Sequence, residues 1–203
     1  MGNPITPSDE TMTDGQIEKA TDIFRNTLRK HRKEFGTKPV QDVLGLRTLG
    51  TDLLAPFRKC VEAVSNLIVR VVQVVRSRTP QEALDATGRA QYTDKPVVAA
   101  MPKGEGEQAE VVFFNLGRYV SDDDLEKEYE ARGLKPADPY SLAAVNEADP
   151  AFADEKPNST HWKDSEGKWC YAAFYRGVGE RGLSVRRGDR GWVDSWWFAG
   201  VRK

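Results

Sequence analysis

Apolar residues recur through the first third of the chain with a helical period. Ile17, Ala20, Phe24, Leu28 and His31 fall at i, i+3, i+7, i+11 and i+14, one stripe of a 3.6-residue repeat. Thr13 or Asp14 is placed to cap this helix, which is expected to reach Phe35 and to stop at Gly36 as its C′ residue. Lys38-Pro39 opens a second, short helix with Val40, Val43, Leu44 and Leu46 apolar, ending near Gly50. Thr51 caps a third, from Asp52 to Asn66, which turns Leu53, Leu54, Phe57, Cys60, Val61 and Val64 inward. Pro56 then falls within or just beyond the first turn, where it costs little.

The period shortens after this point. Within Leu67 to Arg76, polar residues at Asn66, Arg70, Gln73 and Ser77 would continue a helix. However, Ile68, Val69, Val71, Val72, Val74 and Val75 are β-branched and favour a strand, and a strand is expected. Thr79-Pro80-Gln81-Glu82 is a helix start with Pro at N1, stopped by Gly88. Gln108 to Leu116, with Val111, Val112, Phe113 and Phe114, reads as a buried strand. Ser121-Asp122-Asp123-Asp124 starts a helix that ends at Gly133, its acids lying against the positive helix end. Asp138-Pro139 starts another, through Val145, and Asn146 to Ser159 is expected to be irregular. Lys168 to Arg176 alternates Trp169, Tyr171, Ala173 and Tyr175 against Cys170, Ala172 and Phe174, and Leu183 to Arg187 and Trp192 to Val201 follow across glycine-rich turns. The pattern predicts an α+β fold: a flexible tail over 1–13, a helical unit over 14–66, and a mixed segment over 67–203 ending in an antiparallel β-sheet.

Composition narrows this. A chain of 203 residues suits one domain, or one with a small appendage. The net charge of −1 hides a sharp segregation. Residues 103–160 hold fourteen acids against six Lys and Arg, and residues 161–203 hold nine Lys and Arg against five acids. Cys60 and Cys170 stand far apart without C-x-x-C spacing, which fits reduced thiols and neither a disulfide framework nor a zinc ribbon. No run approaches a membrane span, and Met1 to Gly15 has no apolar core of a secretory signal, so a cytoplasmic protein is expected.

Candidate chemistry is sparse. Gly177-Val178-Gly179-Glu180-Arg181-Gly182 spells G-x-G-x-x-G, but that fingerprint needs a following helix to hold a pyrophosphate, and Leu183 to Arg187 is a strand pattern. The segment reads as a hairpin loop. Arg187-Gly188-Asp189 reads as turn chemistry, and the sequon Asn158-Ser159-Thr160 matters only in a secreted protein. Asp149, Asp154, Glu155 and His161 form the one acid-plus-histidine grouping, the ingredients of general-base work if this is a hydrolase. Cys170 lies close enough in sequence to His161 for a rudimentary thiol–imidazole pair, yet occupies a strand position that suits a small buried hydrophobe. No metal or cofactor site is expected.

All five tryptophans lie between His161 and Lys203, among Arg186, Arg187, Arg190, Arg202 and Lys203. Such interleaving makes either a small core or a stacking platform for single strands. The first helix also carries Arg29, Lys30 and Lys33 at one end, which are expected to grip phosphate. Segments such as Thr79 to Arg89, Asn146 through Asp154, Gly167-Lys168-Trp169-Cys170 and Trp196 to Lys203 resemble those of uncharacterised bacterial proteins. The resemblance spans roughly residues 67–203 and implies no activity, cofactor or partner.

Three expectations follow from the residues. The first is a non-enzymatic protein binding nucleic acid or a protein partner, with Arg29, Lys30 and Lys33 on phosphate and Trp196 and Arg186 for stacking. The second is a hydrolase using Asp149, Asp154, Glu155 and His161. The third is an oligomer-forming protein that uses the exposed face of its N-terminal helices.

Overall fold

The computed structural model describes residues 12–64, 67–188 and 191–203. The expected tail therefore lies almost wholly outside the described residues. The described chain falls into two compact units that divide between Val64 and Leu67.

The first unit is helical. Helix α1 (Asp14–His31) begins with a capping box, in which the Thr13 hydroxyl accepts from the Gln16 amide at 3.3 Å and the Gln16 side chain accepts from the Thr13 amide at 2.9 Å. A single 3-10 turn (Arg32–Glu34) follows. Gly36 is not a left-handed terminator: its φ is −75° and it is the N-cap of α2 (Thr37–Leu44). Helix α3 (Leu49–Val64) starts a turn earlier than Thr51 suggested, which puts Pro56 in its interior. No residue of α1 or α2 is buried.

The second unit is an α+β fold built on one eight-stranded mixed sheet. Its strands are β1 (Leu67–Gln73), β2 (Ala90–Thr93), β3 (Gln108–Asn115), β4 (Leu134–Pro136), β5 (Asn158–Lys163), β6 (Trp169–Arg176), β7 (Arg181–Arg187) and β8 (Trp197–Arg202). They lie in the order β1-β3-β8-β5-β6-β7-β2, with β4 beside β8. The β5-β6-β7 meander is antiparallel as the alternation implied. Two junctions are parallel, β5 with β8 and β2 with β7, so the sheet as a whole is mixed. The last strand is shorter than Trp192 to Val201, because Trp192 makes only an isolated bridge to Val120.

Each face of the sheet has its own core. On one face, Ile68, Val111, Phe113, Phe174, Leu183 and Ala199 pack with residues of α4 (Pro80–Asp85), α5 (Lys95–Ala99), α7 (Pro139–Ala148) and α8 (Phe152–Glu155). On the other, Val112, Phe114, Ala173 and Phe198 meet Leu125 and Tyr129 of α6 (Asp122–Ala131). The segment expected to be irregular, Asn146 to Ser159, contains α8 and the start of β5. Its polar residues serve the core: Asn146 Nδ2 donates to Asn158 Oδ1 at 2.9 Å, and buried Arg89 donates to the Pro150 carbonyl at 2.8 Å.

Candidate functional site

The hairpin alternation decides which side chains share a face. Tyr171 stands opposite Arg186, Ala173 opposite Ser184, and Tyr175 opposite Gly182. All six positions face the α6 side, but α6 covers only part of it. Beyond α6 the cover is supplied by the segment 192–196, and beyond that the face is open. The result is a groove of about 660 Å³ lined by Tyr171, Tyr175, Trp192, Trp196, Arg186 and Arg187.

Glycine makes the floor possible. A Cβ at Gly182 would stand 2.8 Å from the Tyr175 ring, and one at Gly188 would stand 2.7 Å from the Tyr171 ring. Each tyrosine therefore lies across backbone that only glycine leaves clear. This accounts for the last glycine of the G-x-G-x-x-G string, while Gly179, at φ +85°, makes the turn. Strand β7 follows where a dinucleotide site would need a helix.

The wall is fixed from behind. Trp192 pairs its backbone with Val120 in both directions, at 3.0 and 2.8 Å. Its indole N–H donates to Asp122 Oδ1 at 2.9 Å. Trp196 meets Trp192 edge-on at a centroid separation of 5.3 Å, and its carbonyl accepts from Asn115 Nδ2 at 2.8 Å. Trp192 is buried while Trp196 is partly exposed, so the cluster is divided between core and surface.

Asp122 links this wall to a buried histidine. The same Oδ1 accepts from His161 Nδ1 at 2.8 Å. On the other side of the ring, Nε2 stands 2.9 Å from Glu126 Oε1, without the in-line geometry of a hydrogen bond. Trp169 stacks on the imidazole at 4.5 Å with an interplanar angle of 10°. Burial opposes a charge on His161, but the two carboxylates outweigh it and its pKa is raised above the ordinary imidazole value. The imidazole in turn holds Glu126 below the usual carboxylate range. With the ring lying between them, the carboxylates do not converge on a common point. Among the described residues, no group of three or more His, Cys, Asp or Glu is placed to hold a metal ion.

The loop carboxylates do not join His161. Asp154 is bound by Arg181 at 2.7 Å and approached by Arg176 at 3.7 Å, and Asp149 lies 3.9 Å from Arg70. Asp154 and Glu155 belong to α8, on the opposite side of the sheet from α6. Asn158 of β5 reaches α7, so three positions on His161 faces the other way. Cys170 also points away from His161, into the core of the α7 face, and burial raises its thiol pKa. Asp122 and Glu126, the true partners, had a legible signal: they are acids at i and i+4 on one helix face.

Arg186 and Trp196, by contrast, line the same groove. Arg187 borders it, but its guanidinium is taken by Asp164 at 2.7 Å and Glu166 at 3.4 Å. Arg186 donates to the Tyr92 carbonyl at 3.1 Å and has no carboxylate partner among the described residues. A larger cleft of about 920 Å³ is bordered by β4 and β5, and within it Arg76 pairs with Asp138 and Arg202 with Glu110. Arg29, Lys30 and Lys33 lie at the end of α1 and in the following 3-10 turn, where cations suit a helix C-terminus, and they belong to the other unit.

Among the described residues, no helix is long and apolar enough to cross a membrane. Compared with models of known protein families, with curated proteins and with solved structures, the chain matches none.

Proposed function

We propose that the second unit is a non-enzymatic binding module whose groove holds a short single-stranded stretch of nucleic acid. Bases would lie against Trp196 and the tyrosines, and a phosphate would meet Arg186. One observation carries this reading: an arginine without a carboxylate partner among the described residues opens onto the same groove as a partly exposed tryptophan. Stacking a base on an aromatic ring contributes roughly 1–3 kcal/mol and tolerates any base. The volume of about 660 Å³ is within the ordinary range for small-ligand sites. Among the described lining residues Asp122 is the one acid, and it already serves His161 and Trp192.

Tryptophan fluorescence titration with single strands of about ten nucleotides tests it, in DNA and RNA, at two salt concentrations, with a duplex for comparison. Single strands should quench the emission and bind more tightly than the duplex. Trp196→Ala should weaken binding roughly 10- to 100-fold, and Arg186→Ala should weaken it and reduce the salt dependence by about one released counterion. No spectral change with micromolar protein at low salt, or equal affinity for the duplex, would refute the reading.

A further inference from the structure

We infer that the groove takes RNA in preference to DNA, with the hydroxyl pair of Tyr175 and Ser184 reading the ribose 2′-OH, an inference resting on the single-strand role proposed above. Gly182, Ser184 and Arg186 alternate onto one face of β7, so each stands about 7 Å from the next. Over Gly182 lies the Tyr175 ring, only 2.8 Å from where a Cβ would stand. One side of the ring is thereby laid on backbone. The other is presented to the groove, beside Trp196 at a centroid separation of 6.4 Å. The ring reaches along the sheet, and its hydroxyl ends 3.2 Å from Ser184 Oγ. Arg186 comes next, with its Nε on the Tyr92 carbonyl at 3.1 Å.

Aromatic face, hydroxyls and guanidinium therefore follow one another in a row. A nucleotide has the same order: a base that stacks, a sugar, and a phosphate. With the base on Tyr175 and a phosphate on Arg186, the sugar falls at the hydroxyl pair. That pair is chemically matched to ribose. Two hydroxyls hold two hydrogens, and the bond between them uses one. Among the described residues neither oxygen has a further hydrogen-bond partner, so one O–H and spare lone pairs remain for a ligand. A 2′-OH both donates and accepts, and it is the group that separates RNA from DNA. Deoxyribose offers nothing there and leaves the spare hydroxyl hydrogen unanswered.

The test uses the full chain with strands of about ten nucleotides built from uridine, deoxyuridine or 2′-O-methyluridine, so that only the 2′ group varies. Tryptophan emission gives the affinities. The RNA strand should bind roughly 3- to 10-fold more tightly than the deoxy strand. The 2′-O-methyl strand, which cannot donate, should lose that advantage. Tyr175→Phe keeps the ring and removes its hydroxyl, and Ser184→Ala removes the other. Each should bring the ratio of RNA to DNA affinity close to one, whereas a general loosening of the groove would weaken both strands and leave the ratio as it was. Three results would overturn the ribose contact while leaving single-strand binding in place: equal affinities in the wild type, a preference that survives both substitutions, or a 2′-O-methyl strand that binds as well as RNA. Failure of all three strands to bind would overturn the single-strand role itself, and the ribose contact with it.

Discussion

Replacing His161 with alanine removes the cation held between Asp122 and Glu126. The His161 side chain is fully buried and that of Asp122 is 6% exposed, whereas that of Glu126 is 42% exposed. The consequences for the two acids therefore differ. Asp122 keeps the Trp192 N–H but loses its counter-charge in a buried site, and removing one partner of a buried pair costs about 3–5 kcal/mol. Glu126 can turn to water, so its share is small. Loss of the stacked contact with Trp169 adds about 1 kcal/mol. His161→Ala should thus lower stability by about 4–6 kcal/mol, and Glu126→Gln by less than about 1 kcal/mol. Urea unfolding followed by tryptophan emission measures both at pH 7. The pH profile carries the sharper signature. Because the folded pKa of His161 is raised, its charge contributes fully below the unfolded value near 6.5, and the contribution fades as pH rises through the folded pKa. Glu126, whose pKa is lowered, contributes above its unfolded value and loses that as pH falls. The gap between wild type and His161→Ala should therefore narrow on going from pH 6 to alkaline pH. A loss below about 1 kcal/mol, or a gap that does not vary with pH, would refute an imidazolium between two carboxylates.

Gly182→Ala and Gly188→Ala should each shift a tyrosine ring off the strand, at a cost of about 1 kcal/mol in chemical unfolding. They should also weaken single-strand binding more than their stability loss explains, as the titration above would read. Arg89→Met should cost about 3 kcal/mol, because the carbonyls of Pro150 and Tyr175 and the Asn146 side chain would lose their donor within the core. Thermal unfolding measures this, and an unchanged midpoint would mean that water replaces the guanidinium.

Local chemistry was readable where the residues concerned are close in sequence. The helix start at Thr79-Pro80 with Pro at N1, the Ser121 cap and the Asp138-Pro139 start all form as expected, and so does the β6–β7 alternation. Gly36 misled because a glycine between helices can serve either as terminator or as N-cap, and only φ separates the two. Asn146 to Ser159 misled because Asp and Asn there answer Arg89 and Arg181, cations distant in sequence. The partners of His161, although spaced i and i+4 on one helix face, were passed over for another reason. Acids at a helix start have a sufficient local reason in the macrodipole, which masks the burial of Asp122. Strand order was illegible for the reason that applies to any sheet of crossed connections: pairing depends on contacts that period and composition do not encode.

The position of β8 bears on how the sheet assembles. Trp197 to Gly200 pair with β3 on one side, and on the other Trp197 and Phe198 pair with β5 and Gly200 to Arg202 with β4. The β1–β3 ladder and the β5-β6-β7 meander can each form from strands they already contain, but only β8 joins them. Until it inserts, β3 and β5 each present an unpaired edge flanked by apolar residues, a template for pairing with another chain. Folding would then be gated by one late, long-range insertion, and an interrupted β8 would leave two sticky half-sheets rather than a slightly weakened whole.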